Sequence, residues 1–183
     1  GPHGYSVAEH SLLVEHIVNL LNPELEAKWR MAALLHDAAE YVIGDLISPV
    51  KNTIGETYNV LEQKLMIAIY QRFGIEGSIP QTIKRKIKVA DKHSAWLEAI
   101  KIADFTKPEA DKIFGIPKLG IVEKIQIAPK SPLEAKTLFL KKHRPVCVSK
   151  LKLCSTRIEL FFVFGAHRHA QTHAHTCKSS TCS

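Results

Sequence analysis

The chain has 183 residues, 45% hydrophobic and 23% charged, which suits one globular domain with a core of its own rather than a disulfide-stapled or metal-folded miniature. No stretch approaches the run of about 18 apolar residues that a membrane helix needs and no basic-then-apolar leader opens the chain, so the expectation is a cytoplasmic protein without membrane contact. The formal charge of +7 would raise nucleic acid as a partner, but all of it lies between Lys141 and Ser183, and residues 1–140 are neutral.

Ser6 and Glu9 read as a capping box, in which a hydroxyl and a carboxylate satisfy orphan N–H groups at a helix start. The helix they open runs to about Leu21, before Pro23, and its apolar Leu13, Val14, Ile17, Val18 and Leu21 recur at three and four residues as one buried stripe. His10 extends that stripe. A second helix begins near Pro23 or Glu24, carries the apolar run Met31 to Leu35, then His36 and Asp37, and ends between Tyr41 and Gly44. Gly44 to Lys51 reads as a loop, bracketed by its glycine and proline. A third helix spans about Glu56 to Phe73, closed by Gly74, and Pro80 opens a fourth that reaches Ala103 with Asp91 in its middle. Residues 105–128 are rich in Pro, Gly and Lys and read as loop with at most a short element, and Ser131 and Pro132 start a last helix to about Lys142. The expected fold is all-α, a bundle of about five or six helices.

Beyond Pro145 the composition changes. From Lys141 onward eight Lys or Arg face one acid, Glu159, and the same tail holds all four cysteines and five of the ten histidines. Residues 158–164 are β-prone and the end is low-complexity His, Thr, Ser and Cys. The reading is a domain at 1–142 and a basic extension at 143–183. His167, His169, His173, His175, Cys177 and Cys182 could bind zinc, but no pair has regular finger spacing; a disordered, foreign or out-of-frame extension, or weak nucleic-acid binding, are the other readings of this tail.

His36, Asp37 and Asp91 stand at otherwise apolar or mid-helix positions, where a buried charge needs compensation. One divalent metal held by His10, His36, Asp37 and Asp91 compensates them together. Two imidazoles and two carboxylates suit Mn, Co, Fe, Ni or Zn better than Mg or Ca, and leave positions for water and a phosphate oxygen. Such an ion activates water and neutralises charge on a phosphoryl group. His16 and His93 read as structural.

The pattern, His10, then His36 and Asp37, then Asp91, resembles the HD-domain phosphohydrolase superfamily. Tyr5 to Ser11, Leu34 to Glu40 and Gly44 to Lys51 look like the branch of bacterial 5′-deoxynucleotidases and related phage or bacterial dNTP-hydrolysing proteins, over about residues 5–142. The resemblance implies a helical HD fold and hydrolysis of a deoxynucleoside 5′-monophosphate. It makes Glu40 the general acid or base beside Asp37, and Asp45, Leu46, Ile47 and Ser48 contacts to the nucleotide; Lys51 could screen phosphate. It also implies a homo-oligomer, dimer or higher, whose partner is a small-molecule nucleotide. Helical spacing agrees on Glu40, three residues from Asp37 and four from His36. The branch carries an N-terminal segment, bearing an arginine and an aromatic, to which nothing here corresponds, so this chain is expected to be a processed product or a fragment. A dNTP triphosphohydrolase and a catalytically silent metal or nucleotide-binding module are the alternatives that reading leaves.

Overall fold

The computed structural model describes residues 4–44, 46, 48–117, 120 and 125–143, and of Tyr41, Ser48 and Asn52 the backbone alone. Eight helical segments follow one another: α1 Val7–Leu21, α2 Ala27–Leu34, α3 Glu40–Ile43, α4 Ser48–Ile54, α5 Glu56–Arg72, α6 Gln81–Lys101, α7 Lys107–Phe114 and α8 Pro132–His143. The expected all-α fold is what is found, with no strand among the described residues, and none of its helices is long and apolar enough to cross a membrane. The β-prone segment and the Cys/His tail lie outside the described residues.

Helix α1 is the centre of the bundle, packing against α2, α6 and α8, while α7 lies on α6. Its predicted stripe is the core: Val14, Ile17 and Val18 are fully buried, meeting Leu34 of α2 and Leu97 of α6. Burying a side chain of that size is worth about 1.5–3 kcal/mol. The Ser6 capping box is present, with the Ser6 N–H donating to Glu9 Oε2 at 2.9 Å and the Glu9 N–H reaching Ser6 Oγ at 3.4 Å. The same device starts α7 from Thr106 and Glu109 and α8 from Ser131 and Glu134.

Three stretches differ from the sequence reading. Ser48 to Lys51, read as the end of a loop, opens helix α4, and the stretch read as loop with a short element holds the eight-residue helix α7. In both a proline, Pro49 or Pro108, stands in the first turn, where its missing N–H has no intrahelical acceptor to lose, so it starts a helix instead of breaking one. The helix expected from Pro23 to Gly44 is instead two pieces. It stops at Leu34 and resumes at Glu40, with Leu35 in the bridge region at φ −101°, ψ 8°. His36 and Asp37 sit in this interruption.

Candidate metal centre

Three elements supply the four candidate donors. His10 comes from the buried stripe of α1 and is 7% exposed. His36 and Asp37 come from the turns after α2, and Asp91 from the middle of α6. His36 Nε2 lies 3.1 Å from Asp37 Oδ2 and 3.8 Å from Asp91 Oδ1, and His10 Nε2 lies 3.4 Å and 3.3 Å from the same two oxygens. Donors about 2.0–2.2 Å from a first-row ion sit roughly 3–3.5 Å from one another. His10, His36 and Asp37 offer donor atoms that all lie within 4.8 Å of one another, and Asp91 stands at the edge of this group, 3.3 Å from His10 but 3.8 Å from His36.

The protons on the two rings can be assigned from their partners. His36 Nδ1 is 2.9 Å from the carbonyl of Ala33, an acceptor only, so Nδ1 is the donor. His10 Nδ1 is 2.7 Å from Glu98 Oε1, and against a carboxylate it is again the donor. Both rings therefore turn Nε2 toward the shared space. His36 Nε2 is buried and has no hydrogen-bond partner; Asp37 is near enough to attract it but is misaligned for a hydrogen bond. A buried polar atom without a partner is costly, and an ion that needs only its lone pair removes the cost. By this observation and by the chemistry of the donor set, the residues fit a divalent metal.

The electrostatics are those of a cation site holding protons. Burial opposes charge on both rings, yet Asp37 and Asp91 push His36 up to about 9, and Glu98 with the same two aspartates holds His10 well above the usual imidazole range. In turn, burial opposes ionisation of Asp37 and Asp91, and the two imidazoles outweigh it, holding both carboxyls well below their ordinary range. The imidazoles are deep, with 9% of each side chain exposed, whereas Asp37 and Asp91 are 27% and 42% exposed. The centre thus opens on its carboxylate side, where a water and a substrate oxygen could enter.

Of the other predicted site residues, Glu40 opens α3 and is held by Lys51 of α4, whose Nζ is 3.0 Å from Glu40 Oε1 and 3.9 Å from Glu62 Oε1. Lys51 therefore meets a carboxylate, where phosphate was expected. Leu46 is half-buried, Ser48 is the first residue of α4, and Asp45 and Ile47 lie outside the described residues. His93 is buried, which pushes its imidazole down, and His16 lines a cavity of 620 Å³ on a neighbouring face of α1 with Leu13, Lys130 and Lys142; that cavity borders none of the four donors. Sequence reasoning missed Glu98. It had no apolar or mid-core position to betray it, but it stands seven residues after Asp91, two turns along one face of α6.

Comparison with known proteins agrees in placement. The HD domain matches residues 7–96, a span that contains all four candidate donors. An uncharacterized protein of Rhodobacter capsulatus is 49% identical over 143 residues, 78% of this chain and 73% of that protein. The uncharacterized protein YfdR of Escherichia coli K12 is 26% identical over 153 residues, 84% of this chain and 76% of its own length.

Proposed function

We propose, on the premise that this chain belongs to the HD-domain family and is a metal-dependent phosphohydrolase, that its substrate is a nucleotide and its reaction the hydrolysis of a deoxynucleoside 5′-monophosphate to the nucleoside and phosphate. The observation that carries the hydrolytic reading is the four-donor cluster with its orphaned His36 Nε2. The nucleotide is supported by the likeness of residues 34–51 to deoxynucleotidases.

His10, His36, Asp37 and Asp91 would hold the ion, which when bound lowers the pKa of water and neutralises charge gathering on the phosphoryl group. Asp37 is also a candidate proton acceptor, since it is both a donor to the ion and partly exposed. Glu40 takes a proton from the attacking water and returns it to the sugar oxygen as the P–O bond breaks, so that water adds across that bond with no further reactant. Lys51 holds the Glu40 carboxylate by an ion pair at 3.0 Å, and its ammonium would screen phosphate charge from there. Asp45, Leu46, Ile47 and Ser48, on the connection between α3 and α4, contact sugar and base. The α5 face with exposed Val60, Leu61 and Ile67 fits a homo-oligomer.

A panel of nucleotides incubated with metal-loaded protein tests this. Inorganic phosphate from a deoxynucleoside monophosphate, abolished by chelator and by Asp37→Ala, is the expected result. Tripolyphosphate from a dNTP would assign the triphosphohydrolase reaction instead, and metal occupancy without any product would leave a binding module.

A further inference from the structure

The carboxylate of Glu98 touches no candidate substrate position. It lies under the centre, 2.7 Å from Nδ1 of His10, on the side of the ring opposite the donor nitrogen. Asp91, Ser94 and Glu98 follow at three and four residues along one face of α6. That face thus brings both a direct donor and the group that holds a second donor from another helix. Ser94 is fully buried and spends its hydroxyl proton on the Asp91 carbonyl at 2.7 Å, so its oxygen, 3.5 Å from His10 Nδ1, faces the ring only as a second, weaker acceptor. The Glu98 carboxylate and the Ser94 oxygen both stand as acceptors beside Nδ1. The His36 ring has a different support, the neutral Ala33 carbonyl.

We infer that Glu98 is a positioning residue of the metal centre: it fixes His10 as the Nδ1–H tautomer and lends the ring negative charge, making His10 the more basic of the two imidazole donors. A carboxylate behind a metal-bound histidine raises ligand basicity and locks ring orientation, and its loss typically costs about 10–100-fold in metal affinity. With Asp37 and Asp91 it brings a third negative charge to a divalent ion, so the centre is anionic overall and retains the cation at the expense of attraction for a phosphate. The inference rests on the metal reading above and extends it one shell outward, two residues past the span matched by the HD domain.

The test is zinc affinity of the full chain, measured by competition with a chromophoric chelator, for wild type, Glu98→Gln, Glu98→Leu and Glu24→Gln. Glutamine keeps an acceptor carbonyl but removes the charge, and is expected to weaken zinc binding several-fold; leucine removes both and is expected to weaken it about 10–100-fold. Glu24→Gln removes the same charge from an exposed position and should leave affinity unchanged. In the zinc-loaded protein the His10 Nδ1–H proton should resonate far downfield and exchange slowly, move upfield in Glu98→Gln, and disappear into solvent exchange in Glu98→Leu. A purely structural glutamate would change melting temperature without moving this signal. Affinity and proton signal in Glu98→Gln equal to wild type overturn the inference while leaving the metal reading intact, and Glu98→Gln decides by itself should Glu98→Leu fail to fold. A wild type that takes no zinc overturns both.

Discussion

Removing the metal should reverse the sign of the protein's pH dependence. In the metal-free chain the His36 imidazole is pushed from 6.5 up to about 9 by Asp37 and Asp91. A group whose folded pKa is raised contributes stability that is complete below the unfolded value and is lost as pH climbs through the folded one. At 1.36 kcal/mol per unit, this interval corresponds to about 3 kcal/mol, lost between pH 6.5 and roughly 9. His10, also raised, adds in the same direction. The aspartates, held low, act only in the acid range, where their contribution disappears as pH falls, and His93, pushed down by burial, acts in the opposite direction around and below 6.5. A divalent ion needs both Nε2 lone pairs, so protons compete with it, and its apparent affinity rises over this interval. Thermal denaturation followed by circular dichroism at pH 6.5 and 9, with chelator and with excess divalent metal, reads both effects. The chelated chain should lose on the order of 10 °C between the two pH values, and the metal-loaded chain should hold or gain. A chelated chain more stable at pH 9 than at 6.5 would refute the cluster electrostatics.

Other expectations follow from single contacts. Glu40→Gln should lower kcat about 10²–10⁴-fold, the usual worth of a general acid or base, with metal affinity unchanged in the same chelator competition. Lys51→Met leaves Glu40 without the ammonium at 3.0 Å; losing one charge-assisted contact of about 1.5–3 kcal/mol should lower kcat/KM by roughly 10–100-fold, as initial rates would show. Truncation after His143 should leave metal affinity and kcat within about twofold, because the candidate ligands and the helices that carry them all lie before it.

How far the sequence carried depends on which force fixed each feature. Hydrophobic periodicity placed α1 and α6 within two residues of their ends, because both bury one continuous stripe, and it put His10 on that stripe and Asp91 in mid-helix. The Ser6 and Glu9 cap was legible because its two hydrogen bonds are local. The signal failed where a residue type has two meanings. Pro49 and Pro108 read as breakers and act as starters. Glu98 reads as an ordinary acid on a solvated helix face, and only the question of what holds the far nitrogen of His10, asked along the Asp91, Ser94 and Glu98 face, would have found it. The pairing of Lys51 with Glu40 rests on a tertiary approach of α4 to α3, which no spacing encodes.

The interruption between α2 and α3 coincides with the site, for His36 and Asp37 stand in the turns between Leu34 and Glu40. There His36 Nε2 lies 3.1 Å from Asp37 Oδ2. The backbone gives up little there. His36, Ala38 and Glu40 donate to Ala33, Leu35 and Asp37 at 3.3, 3.0 and 3.0 Å, so donors that would have reached four residues back reach three. In turns of that tighter kind residues three apart eclipse, which stacks Glu40 over Asp37 more directly than an α-helix would. Glu40, the proposed proton-transferring residue, therefore follows Asp37 on one side of the turn. A substitution that restored α-helical geometry across Leu35 to Ala39 would therefore turn Glu40 away from Asp37 by about 60° around the axis.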